Sequence, residues 1–247
     1  DHSWDVEVES LEEINWDLSP KRRDQNALVE TLEPLKKEVA VVSLHDCCEI
    51  FGGRSIKSAD LSDDLFQSSQ DKKKNKVESI SEIKTYTTNS NELGETYSEI
   101  PYIRIKDIQY DQVIKGSSWL TADSGEFLRS EWKLRSDDVL LSRSGTIGKA
   151  GVVRKDAVGG VAASGLLVLR PEPGRLNPLY LLAYLSSDQC RAWLEDNARG
   201  ATIRHLSIKV LKDLPMPLPS MQIQERVAIQ CRDYEVDTLV FLTKLLI

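Results

Sequence analysis

Residues 137–153 read DDVLLSRSGTIGKAGVV. The apolar run 139–141 predicts a strand over 138–143, the SGTIG that follows predicts a tight glycine turn, and 150–153 predicts a second strand. Working outward, GLLVLR at 165–170 predicts another strand, and IPYIRIKDI at 100–108 alternates apolar and polar positions as a half-buried strand does. Upstream, residues 39–44 predict a strand, and the FGGR at 51–54 predicts a turn whose two glycines allow positive φ. Downstream, Asn177 and Pro178 open a helix, Asn as the cap and Pro in the first helical position, with apolar content continuing to about residue 197. Strands first and helices later, without regular alternation, predict an α+β fold.

Three regions follow from this pass. Residues 1–38 form an acidic leader containing a short helix over 24–37 that Pro34 interrupts. Residues 39–217 form the globular, mixed-sheet domain; within it 68–76 reads as loop or disorder and 77–85 as a strand. Pro215, Pro217 and Pro219 predict a stiff extended connector, and 218–247 then carries one long helix from Met221. In that helix Val227, Cys231, Tyr234, Thr238, Phe241 and Leu245 recur at alternating spacings of four and three, a heptad seam. The seam suits two arrangements equally: a coiled-coil arm for dimerisation or docking, and a helix packed on its own core.

Composition narrows the classes. The 247 residues carry a net charge of −7, with 40% hydrophobic and 29% charged residues, which excludes wholesale disorder and fibrous chains. The longest apolar runs, such as 159–169, fall short of a membrane span. The first residues, Asp1-His2-Ser3-Trp4-Asp5, carry neither an initiator Met nor the layout of a signal peptide, so the sequence is expected to begin within a longer polypeptide. Cysteines 47, 48, 190 and 231 lack metal-binding spacing and read as reduced thiols of a cytosolic protein. The charge is uneven: residues 1–40 sum to −6, 41–100 to −4, 101–217 to +4 and 218–247 to −1. An acidic leader and a basic centre are compatible with a nucleic-acid binder.

Enzymatic motifs fail on inspection. The turn at 145–149 has its glycines three apart and Ala150 after Lys149, so it is no Walker loop. Gly145-Thr146-Ile147-Gly148 matches a KH loop in letters, but it follows a strand where that loop joins two helices. NPLY at 177–180 approaches an amino-methyltransferase loop and is better explained as a helix cap. His45 beside Asp46, and His205 near Ser207, lack a nucleophile elbow. No catalytic residue and no metal ligand is assigned. What remains is basic residues beside glycine turns: Arg54 after Gly52-Gly53, Arg143 and Lys149 bracketing Gly145–Gly148, and Arg199 and Arg204 around Gly200. Arginine can grip guanine bidentately, while Lys, Ser and Thr bind phosphates, and glycine lets a backbone approach a duplex.

Taken in order, VVSLHDCCEIFGGR (41–54), IPYIRIKDI (100–108), DDVLLSRSGTIGKAGVV (137–153), GLLVLRP (165–171), NPLYLLAYLSS (177–187), RGATIRHLSIKVLKDLPMPLPS (199–220) and QIQERVA (222–228) resemble a target recognition domain of a type I restriction-modification specificity subunit. The resemblance covers about 40–235. It implies an α+β recognition domain that reads one half of a split double-stranded DNA target, followed by a helical arm. It also implies a cytoplasmic prokaryotic protein whose partners, besides DNA, are a methyltransferase subunit or fused domain. Adenine methylation and cleavage, and the S-adenosylmethionine cofactor, would reside in those partners and not in this chain. A full specificity subunit has two recognition domains; one is present here. The chain thus fits half a subunit that pairs with its own copy through the helix, or the specificity part of a methyltransferase fusion. The leader segment 14–23 resembles the tail of such fusions. On this reading DNA contacts are expected from Arg54, Arg104, Lys106, Arg143, Ser144, Lys149, Arg199, Thr202 and Arg204, and helix contacts from Val227, Tyr234, Phe241 and Leu245. A competing expectation is an assembly domain that acts through its apolar C-terminal helix and never touches DNA.

Overall fold

The computed structural model describes residues 27–62, 89–90, 96–109, 112–113, 116, 118–121, 128–200, 204–234 and 237–246. The strands are β1 (Ala40–Ser43), β2 (Cys48–Gly52), β3 (Leu61–Ser62), β4 (Asn89–Ser90), β5 (Thr96–Ile103), β6 (Ile108–Gln109), β7 (Gln112–Val113), β8 (Trp119–Thr121), β9 (Val139–Ser142), β10 (Ala150–Val153), β11 (Val161–Ala162), β12 (Leu166–Pro171) and β13 (Pro215–Leu218). The helices are α1 (Ala27–Leu32), α2 (Pro178–Ser186), α3 (Asp188–Asn197), α4 (Ile208–Lys212), α5 (Met221–Tyr234) and α6 (Thr238–Leu246). Helix and sheet are mixed, as the sequence predicts.

The principal sheet has the order β2-β12-β9-β10-β7-β6, antiparallel from β2 to β10 and parallel between β10 and β7. Its central strands are apolar on both faces, and the period of two sorts them between two cores. Val139, Leu141, Val152, Leu167 and Leu169 pack with the helices, whereas Leu140, Val153, Leu166 and Val168 pack with Ile103, Ile108 and Leu134. A second sheet, β11-β5-β8-β3 with β4 on β5, extends that side of the molecule. The helical core takes in Leu28 and Leu32 of α1, Tyr180 and Leu181 of α2, Val227 of α5, and Leu239 and Leu242 of α6, so leader helix and C-terminal helices share one cluster with the sheet.

Several expectations need correction. The helix predicted over 177–197 is two, because Ser187 is extended (φ −65°, ψ 148°) and its hydroxyl caps α3 at the Cys190 amide. The proline-rich connector is a strand, Ala40–Ser43 pairing antiparallel with Pro215–Leu218, and Tyr180 Oη donates to Pro217 O at 2.9 Å. Proline lacks an N–H, and among the described residues β13 has β1 as its one strand neighbour, so the missing donors leave no central ladder broken there. Neither Gly52 nor Gly53 has positive φ. Gly52 ends β2, and Gly53 is demanded by close packing: a Cβ there would lie 2.0 Å from Ala163 O. Residues 105–107, expected within a strand, form a single 3₁₀ turn.

The single long C-terminal helix is not confirmed: the described residues give α5 to Tyr234 and α6 from Thr238, with 235–236 outside them. Asp237 caps α6, its Oδ1 accepting from the Leu239 and Val240 amides at 3.0 and 3.1 Å. Of the seam, Val227 and Thr238 are buried within this chain, Phe241 and Leu245 pack partly on its core, and the Tyr234 side chain lies outside the described residues. The loop expected over 68–76 and the strand expected over 77–85 also lie outside them.

Candidate nucleic-acid interface

The glycine turn is built as its residue types require. Gly145 and Gly148 have φ of +70° and +86°, values that favour glycine. Ser142 closes the loop: its hydroxyl accepts from Lys149 N at 2.9 Å and donates to Thr146 O. A Cβ added at Gly145 would meet nothing within 4 Å, so the tip faces open space.

Strand register gathers the basic residues at this end. Ser142 pairs with Leu166, Leu141 with Ala150 and Leu167 with Gly52, so the end of β9, the starts of β10 and β12 and the end of β2 share one edge of the sheet. Arg143 follows β9; its backbone N donates to Gly165 O at 3.0 Å and its Nε to Leu206 O at 3.2 Å. Burial lowers the Arg143 pKa from its ordinary value, yet guanidinium stays cationic at neutral pH. Ser144 forms a bridge with His205, which in turn pairs with Arg199 in both directions at 2.8 and 3.1 Å. Lys149 Nζ reaches across to Ile105 O at 3.3 Å, tying the turn to the segment that carries Arg104 and Lys106. Arg54 N donates to Ala162 O at 2.7 Å, one residue from Ala163, which accompanies the start of β12. Lys106, Arg199 and Arg204 are exposed, while Arg54, Arg104, Arg143, Ser144 and Lys149 are half-buried. Thr202 lies outside the described residues.

The two ends of the sheet differ in how their cations are held. At the far end, Arg170 makes a two-pronged pair with buried Asp138 (2.8 Å twice) and approaches Glu49 at 3.7 Å. Arg154 pairs with Asp137, and Arg175 with Glu172 at 2.9 Å. At the glycine-turn end, Arg54, Arg104, Lys106, Arg143, Lys149, Arg199 and Arg204 have no carboxylate within ion-pair distance among the described residues. Carbonyl oxygens and aromatic rings orient several of them and leave the charge uncompensated. Such an end can receive a polyanion.

Two residues at this edge were not legible as site residues. His205 joins the turn to the Arg199 strand through its backbone, and its pKa is lowered, first by partial burial and then by the Arg143 charge. Trp132 lies under the Arg54 guanidinium at 3.9 Å. No pattern near 132 signals this, because the partner is far away in sequence. His45 has Asp46 at 3.4 Å and the Lys212 carbonyl at 3.1 Å on its other nitrogen. Burial pushes the Cys47 thiol up to about 11 and raises Cys48 and Cys190 further, so these cysteines stay protonated at neutral pH. No helix among the described residues is long and apolar enough to cross a membrane.

Comparison with known proteins adds three findings. The type I restriction enzyme EcoBI specificity subunit of Escherichia coli is 32% identical over 95 residues, 38% of this chain and 20% of that protein. The HsdS subunit of Thermoanaerobacter tengcongensis shares the fold with a TM-score of 0.53 at 20% identity, over 97% of this chain and 50% of that one. The type IIG restriction endonuclease BpuSI does so with a TM-score of 0.56 at 13% identity, over 98% of this chain and 32% of that one. The chain thus spans half or less of the length of these proteins. The family model described as type I restriction modification DNA specificity domain matches residues 69–235, more than half of the sequence, and the chain belongs to that family.

Proposed function

We propose that this chain recognises a specific sequence in double-stranded DNA, presenting the glycine-turn end of its principal sheet to the duplex. It serves as the target-reading part of a type I restriction-modification system and performs no chemistry itself. The observation that carries this reading is the set of seven cations converging on one sheet edge with no carboxylate partner among the described residues. Adenine methylation and DNA cleavage belong to other subunits or domains, and S-adenosylmethionine binds there. Helix α6, whose Val240 is 43% exposed beside the partly buried Phe241 and Leu245, is the surface through which a methyltransferase or a second copy of this chain docks.

Selection of bound duplexes from a random pool at two salt concentrations tests the DNA reading. A short enriched motif is expected, and its loss on charge reversal of Lys106, Arg199 and Arg204 together. If the folded protein enriches nothing with the methyltransferase present, the chain is an assembly domain and the reading is wrong. Sedimentation of a Val240→Asp variant with and without the methyltransferase tests the docking surface; an unchanged profile refutes it.

A further inference from the structure

Three arginines of this chain alternate with two aromatic rings. The Arg104 guanidinium lies 5.7 Å from the centroid of the Tyr102 ring. Tyr102 Oη donates to the Arg54 carbonyl at 2.7 Å, and the Arg54 guanidinium lies 3.9 Å from the centroid of Trp132. Arg129 approaches the same indole at 5.5 Å. The run begins at Arg104, on the segment after β5, and ends at Trp132 and Arg129, which the motifs of the sequence do not mark; the carbonyl of Lys133, next to Trp132, accepts from Arg170 at 3.1 Å, so the run leads from the glycine-turn end toward the other.

The chemistry of this ladder is specific. Tyr102 is 6% exposed, so its ring offers no stacking platform to a base. The rings serve instead to hold guanidinium planes in place, which reduces the side-chain freedom lost when an anion binds. Arg54 Nε is buried and has no hydrogen-bond partner among the described residues. A buried cationic donor without an acceptor is costly, and the Trp132 ring against the same guanidinium offsets part of that cost. Arg129 has Glu131 at 3.5 Å, but their side chains are 69% and 63% exposed, so this pair is weak and easily exchanged for a stronger anion.

We propose that Arg104, Arg54 and Arg129, spaced by Tyr102 and Trp132, form a rail for the phosphates of duplex DNA, flanking the glycine-turn end that reads bases. The inference rests on the DNA-binding reading above and adds Arg129 as a phosphate ligand and Trp132 as a positioning residue. A phosphate contact weakens all sequences alike and adds about 0.9 to the slope of log affinity against log salt.

The test measures that slope with two duplexes, one carrying the selected motif and one unrelated, for the wild type and for Arg129→Gln, Arg104→Gln, Trp132→Leu and Trp132→Phe. The ion-paired Arg154→Gln at the far end is the control. Each arginine variant is expected to lower the slope by about 0.9 on both duplexes. Trp132→Leu should lower it and Trp132→Phe restore it, whereas a merely structural tryptophan would shift the melting temperature without moving the slope. Unchanged slopes, or losses confined to the motif duplex, overturn the rail while leaving sequence recognition intact. Lowered slopes without any selected motif keep the rail and defeat sequence recognition. A wild type that binds neither duplex defeats both.

Discussion

Gly52 and Gly53 are adjacent, neither has a positive φ, and the structure separates them sharply. A Cβ on Gly52 would meet Arg143 Nη1 at 3.5 Å and Ile208 Cδ1 at 3.6 Å, ordinary van der Waals contacts. A Cβ on Gly53 would lie 2.0 Å from Ala163 O and 2.6 Å from Ala162 O, both backbone atoms. Relief requires about 1.5 Å of backbone movement to regain a normal separation. That movement strains the Arg54 N to Ala162 O bond at 2.7 Å and the Tyr102 Oη to Arg54 O bond at 2.7 Å. Overpacking of about 1–3 kcal/mol and one or two hydrogen bonds of about 1 kcal/mol each bring the cost of Gly53→Ala to about 2–5 kcal/mol. Gly52→Ala is expected within about 1 kcal/mol of wild type, because the lost freedom of the unfolded chain offsets its small crowding. Urea denaturation reads the difference: with a slope of about 3 kcal/mol per molar for a chain of this size, Gly53→Ala should lower the midpoint by about 0.7 M or more. Equal midpoints for the two variants would refute the close-packing account of Gly53.

Asp138→Asn leaves Arg170, 12% exposed, beside a neutral amide, and should cost about 3 kcal/mol in the same denaturation; a loss below about 1 kcal/mol would mean that water reaches the pair. Asp237→Ala removes the cap of α6 and should cost about 1–2 kcal/mol, with the Leu239 and Val240 amides the first to lose hydrogen-exchange protection. His205 titrates below its ordinary value because of burial and then Arg143, so the folded protein binds fewer protons there than the unfolded chain. Its contribution to stability is therefore present above the ordinary histidine value of 6.5 and lost as the pH falls through and below it. Arg143→Gln should raise the His205 pKa in an NMR titration, and no movement would show that burial alone sets it.

The parts of the fold written in local pattern were legible. The β9–turn–β10 hairpin announces itself by an apolar run, two glycines and a second apolar run, and Asn177-Pro178 caps α2 as expected, with Oδ1 accepting from the Leu179 and Tyr180 amides. The failures are places where a short polar residue or a tertiary neighbour decides. Ser187 ends α2 and caps α3, and Asp237 caps α6, which apolar periodicity cannot reveal. The prolines of β13 look like a free connector until Ala40–Ser43 supplies a strand to pair with. Cations beside glycine turns are visible in the sequence because that pattern is local. The Arg54–Trp132 stack is not, because it joins residues far apart in the chain.

An acidic chain can still offer a polyanion an attractive surface if its carboxylates are spent elsewhere. Residues 101–217 have a surplus of only +4, too small to orient a duplex if it were spread evenly. The principal sheet prevents even spreading. Both of its faces are buried, so the charged side chains that flank its strands collect at the two ends. Antiparallel register then fixes which end each one joins: Asp138 precedes β9 and meets Arg170 near the end of β12, while Arg143 follows β9 and meets Gly165 at the start of β12. The carboxylates Asp137, Asp138 and Glu49 thus neutralise arginines at one end, and the other keeps its cations without such partners among the described residues. Shifting a charged residue from one end of a strand to the other would alter the charge of this sheet edge without altering net charge, so the sign of the whole chain is a poor guide to the potential there.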